Sequence, residues 1–293
     1  MKTKRIIFIL AVVLVSCSGN ENLSDAYGNF ESDDVVVSAE ANGKILVLNI
    51  QEGQKLNKGQ VVGYIDSTDL VLKKQQLLAQ KQAVASKIEN IKAQIEVQEQ
   101  QKKNLLVDKE RVEKMLKDGA ATQKQLDDIN GKIDLVNAQI SSINTQNVSV
   151  HSEMEVIKTQ IAQVEEGIKK CKIINPLKGT VLEKYAEQGE ITAFGKPVYK
   201  IANLEELYLR VYVSGDQLPH IKIGQQAEVL IDNTKKENSK LTGVVTWISA
   251  NAEFTPKIIQ TKEERVNMVY AVKIRVKNDG SLKIGMPGEA NFR

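Results

Sequence analysis

From Leu126 to Cys171 the apolar positions advance by threes and fours: Leu126, Ile129, Ile133, Val136, Ile140, Ile143, then Asn147, Val150, Met154, Ile157, Ile161, Val164, Ile168 and Cys171. Only Asn147 interrupts the apolar series. A seam with a period of 3.5 predicts a helix that winds against a partner. Upstream, Leu77, Val84, Ile88, Ile91, Ile95, Leu105, Val112 and Leu116 keep the same spacing, with Lys81, Gln98, Lys102 and Lys109 at intervening sites, so this arm has the wetter seam. Between the arms, Gly119 can end one helix and Thr122 can cap the next. So short a connection predicts an antiparallel hairpin over residues 68–171 with its tip near 117–123. At 1.5 Å per residue each arm reaches ~70 Å, the length of a spacer.

The pattern on either side of the hairpin has period two. Gly43, Ile45, Gly53, Gly59 and Ile65 recur in register as Gly179, Val181, Gly189, Gly195 and Ile201. Each copy reads as short strands separated by glycine turns. Neither copy alone has enough apolar surface for a stable sheet. The two are therefore expected to pack as one β domain whose halves, 36–66 and 173–203, are separated by the helices. Beyond it, alternation at Leu207, Leu209, Val211 and Val213, at Ala227, Val229 and Ile231, around Trp247, and at Tyr270, Val272, Ile274 and Val276 predicts a small β-barrel over 204–293. The fold class is α+β.

Composition sharpens this division. Aromatics make up 4% of the chain and none lies between Tyr64 and Tyr185, while the 5 prolines all follow residue 175. A narrow two-helix seam accepts Leu, Ile and Val more readily than rings. With 42% hydrophobic residues and a formal net charge of +3, the chain is not of the disordered class. Its basic and acidic residues are interspersed, which gives no reason to expect nucleic acid as a partner.

The amino-terminal residues have the form of an export signal: Lys2, Lys4 and Arg5 precede an apolar run from Ile6 to Val15. That run is too short to span a bilayer, which needs ~20 residues. Leu14-Val15-Ser16-Cys17 resembles the lipobox of bacterial lipoproteins, which implies a signal peptide over 1–16, acylation of Cys17, and a lipid-anchored tether over 17–35. Cys171 then remains as the one free thiol, and no intramolecular disulfide is expected.

Candidate chemistry is sparse. His151 and His220 belong to different elements, and neither has a cysteine or carboxylate at metal-ligand spacing. No nucleophile elbow or phosphate loop occurs. The many carboxylates of the helices have lysines near them at i,i+4 spacing, as on solvated faces. No catalytic residue, metal or cofactor is expected, and the chain does not read as an enzyme.

The split β domain resembles the two halves of a biotinyl/lipoyl domain, the second beginning at Asn175-Pro176-Leu177-Lys178-Gly179. In that family the halves meet at a hairpin that presents a lysine. Here Ile65-Asp66-Ser67-Thr68-Asp69 leads into the helices instead, which weighs against a carrier. A split lipoyl-like β-sandwich, an inserted antiparallel coiled coil and a following β-barrel, behind a lipobox, resemble the periplasmic adaptors of tripartite exporters, the HlyD or membrane fusion protein family. Near the tip, Arg111, Met115, Thr122, Leu126 and Asp127 fall at the spacing of the motif by which such adaptors meet a TolC-like outer-membrane channel. Arg111 and Leu126 match that motif, Met115 stands for a leucine, and Thr122 keeps a hydroxyl in place of serine. Ala252-Glu253-Phe254-Thr255-Pro256-Lys257, followed by Thr261-Lys262-Glu263-Glu264-Arg265, resembles a loop of the branch paired with ATP-driven exporters. Adaptors of proton-driven pumps normally continue into a further domain, which is not expected here.

The resemblance implies a homo-oligomeric, hexameric ring in the envelope of a Gram-negative bacterium, with an inner-membrane ABC transporter and a TolC-like channel as partners. An adaptor of a proton-driven pump is the alternative within the class, and a biotinyl/lipoyl carrier the alternative outside it. Membrane sorting is divided: Ser18 after the cysteine favours the outer membrane, whereas the adaptor reading expects the inner one.

Overall fold

A computed structural model describes residues 24–234, 237–254 and 268–292. In chain order the elements are β1 (Ala26–Glu31), β2 (Asp34–Ser38), β3 (Gly43–Leu48), β4 (Lys55–Leu56), β5 (Val61–Ile65), α1 (Thr68–Lys117), α2 (Gln123–Lys170), β6 (Lys172–Ile174), β7 (Gly179–Lys184), β8 (Ile191–Thr192) and β9 (Pro197–Ala202). There follow β10 (Glu206–Ser214), a 3₁₀ turn (Leu218–His220), β11 (Gln226–Thr234), β12 (Glu237–Ile248), β13 (Glu253–Phe254), β14 (Met268–Lys277) and β15 (Pro287–Phe292).

The internal repeat is realised strand by strand: β2, β3, β4 and β5 correspond to β6, β7, β8 and β9. One four-stranded sheet runs β2-β9-β7-β4 and the other β6-β5-β3-β8. Exchanging the halves converts the first order into the second, so each sheet takes two strands from each half. The same symmetry holds for backbone hydrogen bonds. Gly53 donates to Val181 and Gly189 to Ile45, each at 2.8 Å, while Gly59 donates to Asn175 and Gly195 to Ala39, again at 2.8 Å. These four glycines have φ between 81° and 95°, a region that costs other residues strain. In two of the turns the following glutamine accepts a backbone N–H through its side chain, Gln54 from Gln51 and Gln60 from Asn57. Ile45, Leu56, Ile65, Val181, Tyr199 and Ile201 fill the space between the sheets.

Asn175 lies at the heart of this sandwich with no exposed surface. Its amide nitrogen donates to the carbonyls of Asn57 and Leu177. Its carbonyl accepts the Tyr199 hydroxyl at 3.1 Å. Burial pushes the Tyr199 phenol up to about 12, so it stays protonated and able to donate.

The two helices pack as the expected antiparallel hairpin. Leu77, Val84, Ile88 and Ile91 of α1 meet Val150, Met154, Ile157 and Ile161 of α2 in one apolar cluster, and all belong to the seam read from spacing. Lys74–Glu165 at 2.8 Å and Lys87–Glu153 at 3.3 Å bridge the arms and mark the same register. Closer to the tip, α1 buries nothing beyond Ile91, as its run of Lys102 and Lys109 leads one to expect. Two polar side chains sit in the seam: the carbonyl oxygens of Gln98 and Asn147 are shielded from solvent and have no hydrogen-bond partner. Such groups lower stability and favour one register over others. Replacing Asn147 with Ile is expected to stabilise the hairpin by about 1–3 kcal/mol, read as a higher urea midpoint. A lower midpoint would mean that Asn147 makes a stabilising contact in solution.

The third body is a closed barrel. Strands β10, β1, β15, β11, β12 and β14 bond in that order, and β14 returns to β10. Phe30, Leu207, Leu209, Val211, Val229 and Ile274 pack inside it. Here the structure corrects the expected boundaries. Ala26–Glu31, read above as tether, is strand β1, paired on one side with β10 and on the other with β15. The physical reason is visible in its own alternation: Ala26 and Phe30 are buried while Tyr27 between them is half exposed. The residues expected as signal peptide, together with Cys17, lie outside the described residues.

Candidate docking site at the hairpin tip

The tip is built by complementary helix ends. At the end of α1, Ala120 N–H bonds Met115 C=O at 2.7 Å and Gly119 N–H bonds Leu116 C=O at 3.2 Å. With Gly119 at φ 71°, this is the Schellman arrangement that satisfies the last carbonyls. At the start of α2, Thr122 is the N-cap residue, and its N–H donates to the Gln125 side chain at 2.7 Å. The turn from Asp118 to Thr122 is thus held by hydrogen bonds on both sides, with no need for a packed core at the apex.

On this frame Arg111 and Met115 lie one turn apart near the end of α1, and Thr122 and Leu126 one turn apart at the start of α2. Met115 lies in the last turn of α1 and Leu126 in the first turn of α2. The Arg111 side chain is 67% exposed and is paired with Asp108, three residues away, at 3.0 Å. Met115 is an exposed large apolar residue, Leu126 is half-buried, and Thr122 and Asp127 are exposed. Asp127 accepts a hydrogen bond from Gln123 at 2.8 Å. Beside Arg111, the hydrogen bond from Lys114, reinforced by its charge, holds the Glu110 carboxyl below the usual range. The end of the rod therefore offers one guanidinium beside exposed thioether and aliphatic surface, bordered by ion pairs that add little stability in water. Such a face can bind and align; it has no arrangement for bond-making chemistry.

Elsewhere, the residues considered for metal or thiol chemistry are not brought together. His151 and His220 are exposed on α2 and the 3₁₀ turn. Among the described residues no cluster of His, Cys, Asp and Glu could hold a metal ion. Cys171 is buried, and its thiol donates to the Gly167 carbonyl. Burial, followed by the nearby Asp66 charge, pushes that thiol up, away from reactive thiolate character. Among the described residues no helix is long and apolar enough to cross a membrane.

One cluster escaped the sequence. On the outside of the barrel, Arg210 of β10 donates to both carboxylate oxygens of Glu253 at 3.0 and 2.9 Å. Glu31 of β1 lies 3.8 Å from Arg210 and 3.7 Å from Lys273 of β14. The guanidinium also lies 5.8 Å from the centre of the Tyr212 ring. Glu253 belongs to the segment singled out above at 252–257, so Arg210 pins the start of that segment to the barrel wall. The rest of it, from Thr255 through Arg265, lies outside the described residues. The missing signal was long-range: Glu31 lies far from the other three charges in sequence, Arg210 and Glu253 sit on different strands, and only barrel closure makes the four neighbours.

Comparison with known proteins identifies the class to which this split sandwich, helical rod and barrel belong. The family described as RND MFP, barrel-sandwich hybrid domain, matches residues 33–202, which is more than half of the chain. The chain belongs to this family of membrane fusion proteins. A UPF0194 membrane protein of Acidithiobacillus ferridurans is 25% identical over 289 residues, covering 89% of this chain and 84% of its own. Another from Yersinia enterocolitica is 23% identical over 316 residues, with coverage of 98% and 96%. Among solved structures, MacA from Actinobacillus actinomycetemcomitans shares the fold with a TM-score of 0.60 at 21% identity, over 92% of this chain and 78% of that one. The membrane fusion protein Spr0693 of Streptococcus pneumoniae does so with a TM-score of 0.57 at 15% identity, over 91% and 97%.

Proposed function

We propose that this membrane fusion protein is the adaptor of a tripartite exporter, standing between an inner-membrane ABC transporter and a TolC-like outer-membrane channel. The observation that carries the reading is the tip: Arg111 and Met115 lie near the end of a 50-residue helix and Leu126 at the start of a 48-residue one. At 1.5 Å per residue the rod is ~70–75 Å long. Acylation of Cys17 would hold the chain at the inner membrane, and sandwiches side by side would form the hexameric ring. The chain supplies alignment and a sealed path, while the transporter supplies the work.

The ABC assignment is supported by the segment beginning at Ala252, which resembles the loop of that branch and is tied to Arg210 through Glu253. A proton-driven pump is the second reading, favoured by the description of the matching family as RND. A carrier role has no support, since α1 begins at Thr68 directly after β5, where a carrier would place its lysine hairpin. Cross-linking from the barrel in intact cells, followed by mass spectrometry, decides between the pumps: an ATP-binding permease supports the first reading and a proton-driven transporter overturns it.

Docking is tested at the tip. Arg111→Asp and Leu126→Asp are expected to reduce export to the level of a strain lacking the chain, with membrane attachment and thermal unfolding unchanged. Export at the unaltered rate in both variants would remove the tip from the docking surface.

A further inference from the structure

The amino-terminal strand enters the barrel at a particular rim. Asp25 N–H donates to Asn291 Oδ1, and Asp25 Oδ2 accepts the Phe292 N–H at 2.9 Å. The Asp25 carbonyl accepts from Gln217 Nε2 at 2.9 Å. Phe292 pairs in turn with Ala227 near the start of β11, and the turn Lys222–Gln225 immediately precedes that strand. The tethered end of the chain and the tip of this turn therefore share the barrel's far rim, opposite the sandwich.

At this turn Gly224 has φ 89° and Gln225 accepts the Lys222 N–H through its side chain, the same construction as the two glutamine turns of the sandwich. In those two turns the residue before glycine is charged, Glu52 and Lys58. Here it is Ile223, 68% exposed, and Met268 on the same rim is 56% exposed. Turn geometry does not require an isoleucine, and its outward position adds nothing to the barrel core.

We propose that the barrel rim around Ile223 rests on the lipid surface to which the amino terminus is attached, with Ile223 inserted among the acyl chains near the headgroups. The inference rests on the anchored reading of Cys17. From Cys17 to Ser24 the chain can span at most ~25 Å even when fully extended, so an anchored chain must keep this rim close to the bilayer. Charge plays a small part: Asp25, Asp216, Lys222 and exposed His220 include both signs, and the hydrogen bond from Ser214 holds the Asp216 carboxyl below its ordinary range. A contact this small would be marginal for a free protein. It becomes effective through the local concentration that a short tether imposes.

The test uses the acylated full chain with Ile223→Cys, labelled with a polarity-sensitive fluorophore and reconstituted in phosphatidylethanolamine–phosphatidylglycerol vesicles. Cys171 is 3% exposed and Cys17 is blocked by lipid, so the new thiol is the reactive one. The expected result is blue-shifted emission at 223 that brominated lipid quenches, with neither effect for Ile191→Cys, whose site is 77% exposed on the sandwich. If the chain floats with the vesicles but the 223 label behaves like the 191 label, the rim contact is overturned and the anchor stands. If the chain does not float, the anchor reading falls and the contact falls with it. Shielding at 223 that arises only when a transporter is added would assign the rim to a protein partner and overturn the lipid contact.

Discussion

Gly28→Ala is expected to release β1 from the barrel. A Cβ at this position would lie 1.7 Å from the carbonyl oxygen of Arg210 and 2.8 Å from the Cα of Val211. Both obstacles are backbone atoms of β10, the strand paired with β1, so no rotamer change removes the clash. The strands must separate, and with them Phe30, which has no exposed surface in the barrel core. Overpacking commonly costs about 1–3 kcal/mol where side chains can adjust; against backbone, a loss of about 3 kcal/mol or more is expected. Hydrogen exchange locates the effect. Amides of β1, β10 and β15 should lose protection, while those of the helical hairpin keep theirs. Undiminished protection of β1 in the variant would show that the strand does not lie this close to β10. Because β1 follows the segment that carries the proposed anchor at Cys17, the same variant should also loosen the barrel from that segment.

The second large effect is expected at Asn175, where one amide joins three segments of the sandwich. Asn175→Asp nearly preserves shape but replaces the amide donor with a carboxylate facing two carbonyl oxygens. Leaving such groups unpaired in a buried site is expected to cost about 3 kcal/mol or more at pH 7. The sign of the pH dependence follows from linkage. A carboxyl buried against carbonyls has a folded-state pKa above its unfolded value of about 3.9. The unfolded form then releases its proton first, and the penalty grows as pH rises through that window. The variant should therefore approach the parent protein in stability as pH falls toward about 4, relative to the parent at the same pH. Denaturant midpoints between pH 4 and 8 measure this; a deficit independent of pH would indicate a loss of packing without a buried charge.

How much could be read beforehand differs from element to element. Spacing alone located the hairpin seam, because a two-helix contact repeats locally and each arm carries its own register. It also located the cap at Thr122 and the stop at Gly119, whose causes lie within a few residues. The glycines of the repeat foretold the turns of the sandwich, since a positive φ is a demand each turn makes on its own residue. The tip residues were legible as a spacing, and the fold adds their exposure: Arg111 extends from the rod beside Asp108, while Leu126 remains half-buried.

The interleaving of the halves was not legible. Self-similarity says that two segments fold alike, but each sheet draws strands from both, and that choice depends on pairing across the inserted helices. Nor was β1 legible. Its alternation of Ala26, Tyr27 and Phe30 is too short to distinguish a strand from a tether until β10 and β15 supply partners on both sides. The Arg210 cluster and the shared rim of Asp25 and Ile223 have the same origin, for each joins residues from distant parts of the chain. Local chemistry thus determined which segments are rod, turn and strand. Only closure of the barrel and sandwich decided which distant segments are neighbours, because backbone hydrogen bonds are alike in every strand, and the selection falls to packing and steric fit in the assembled whole.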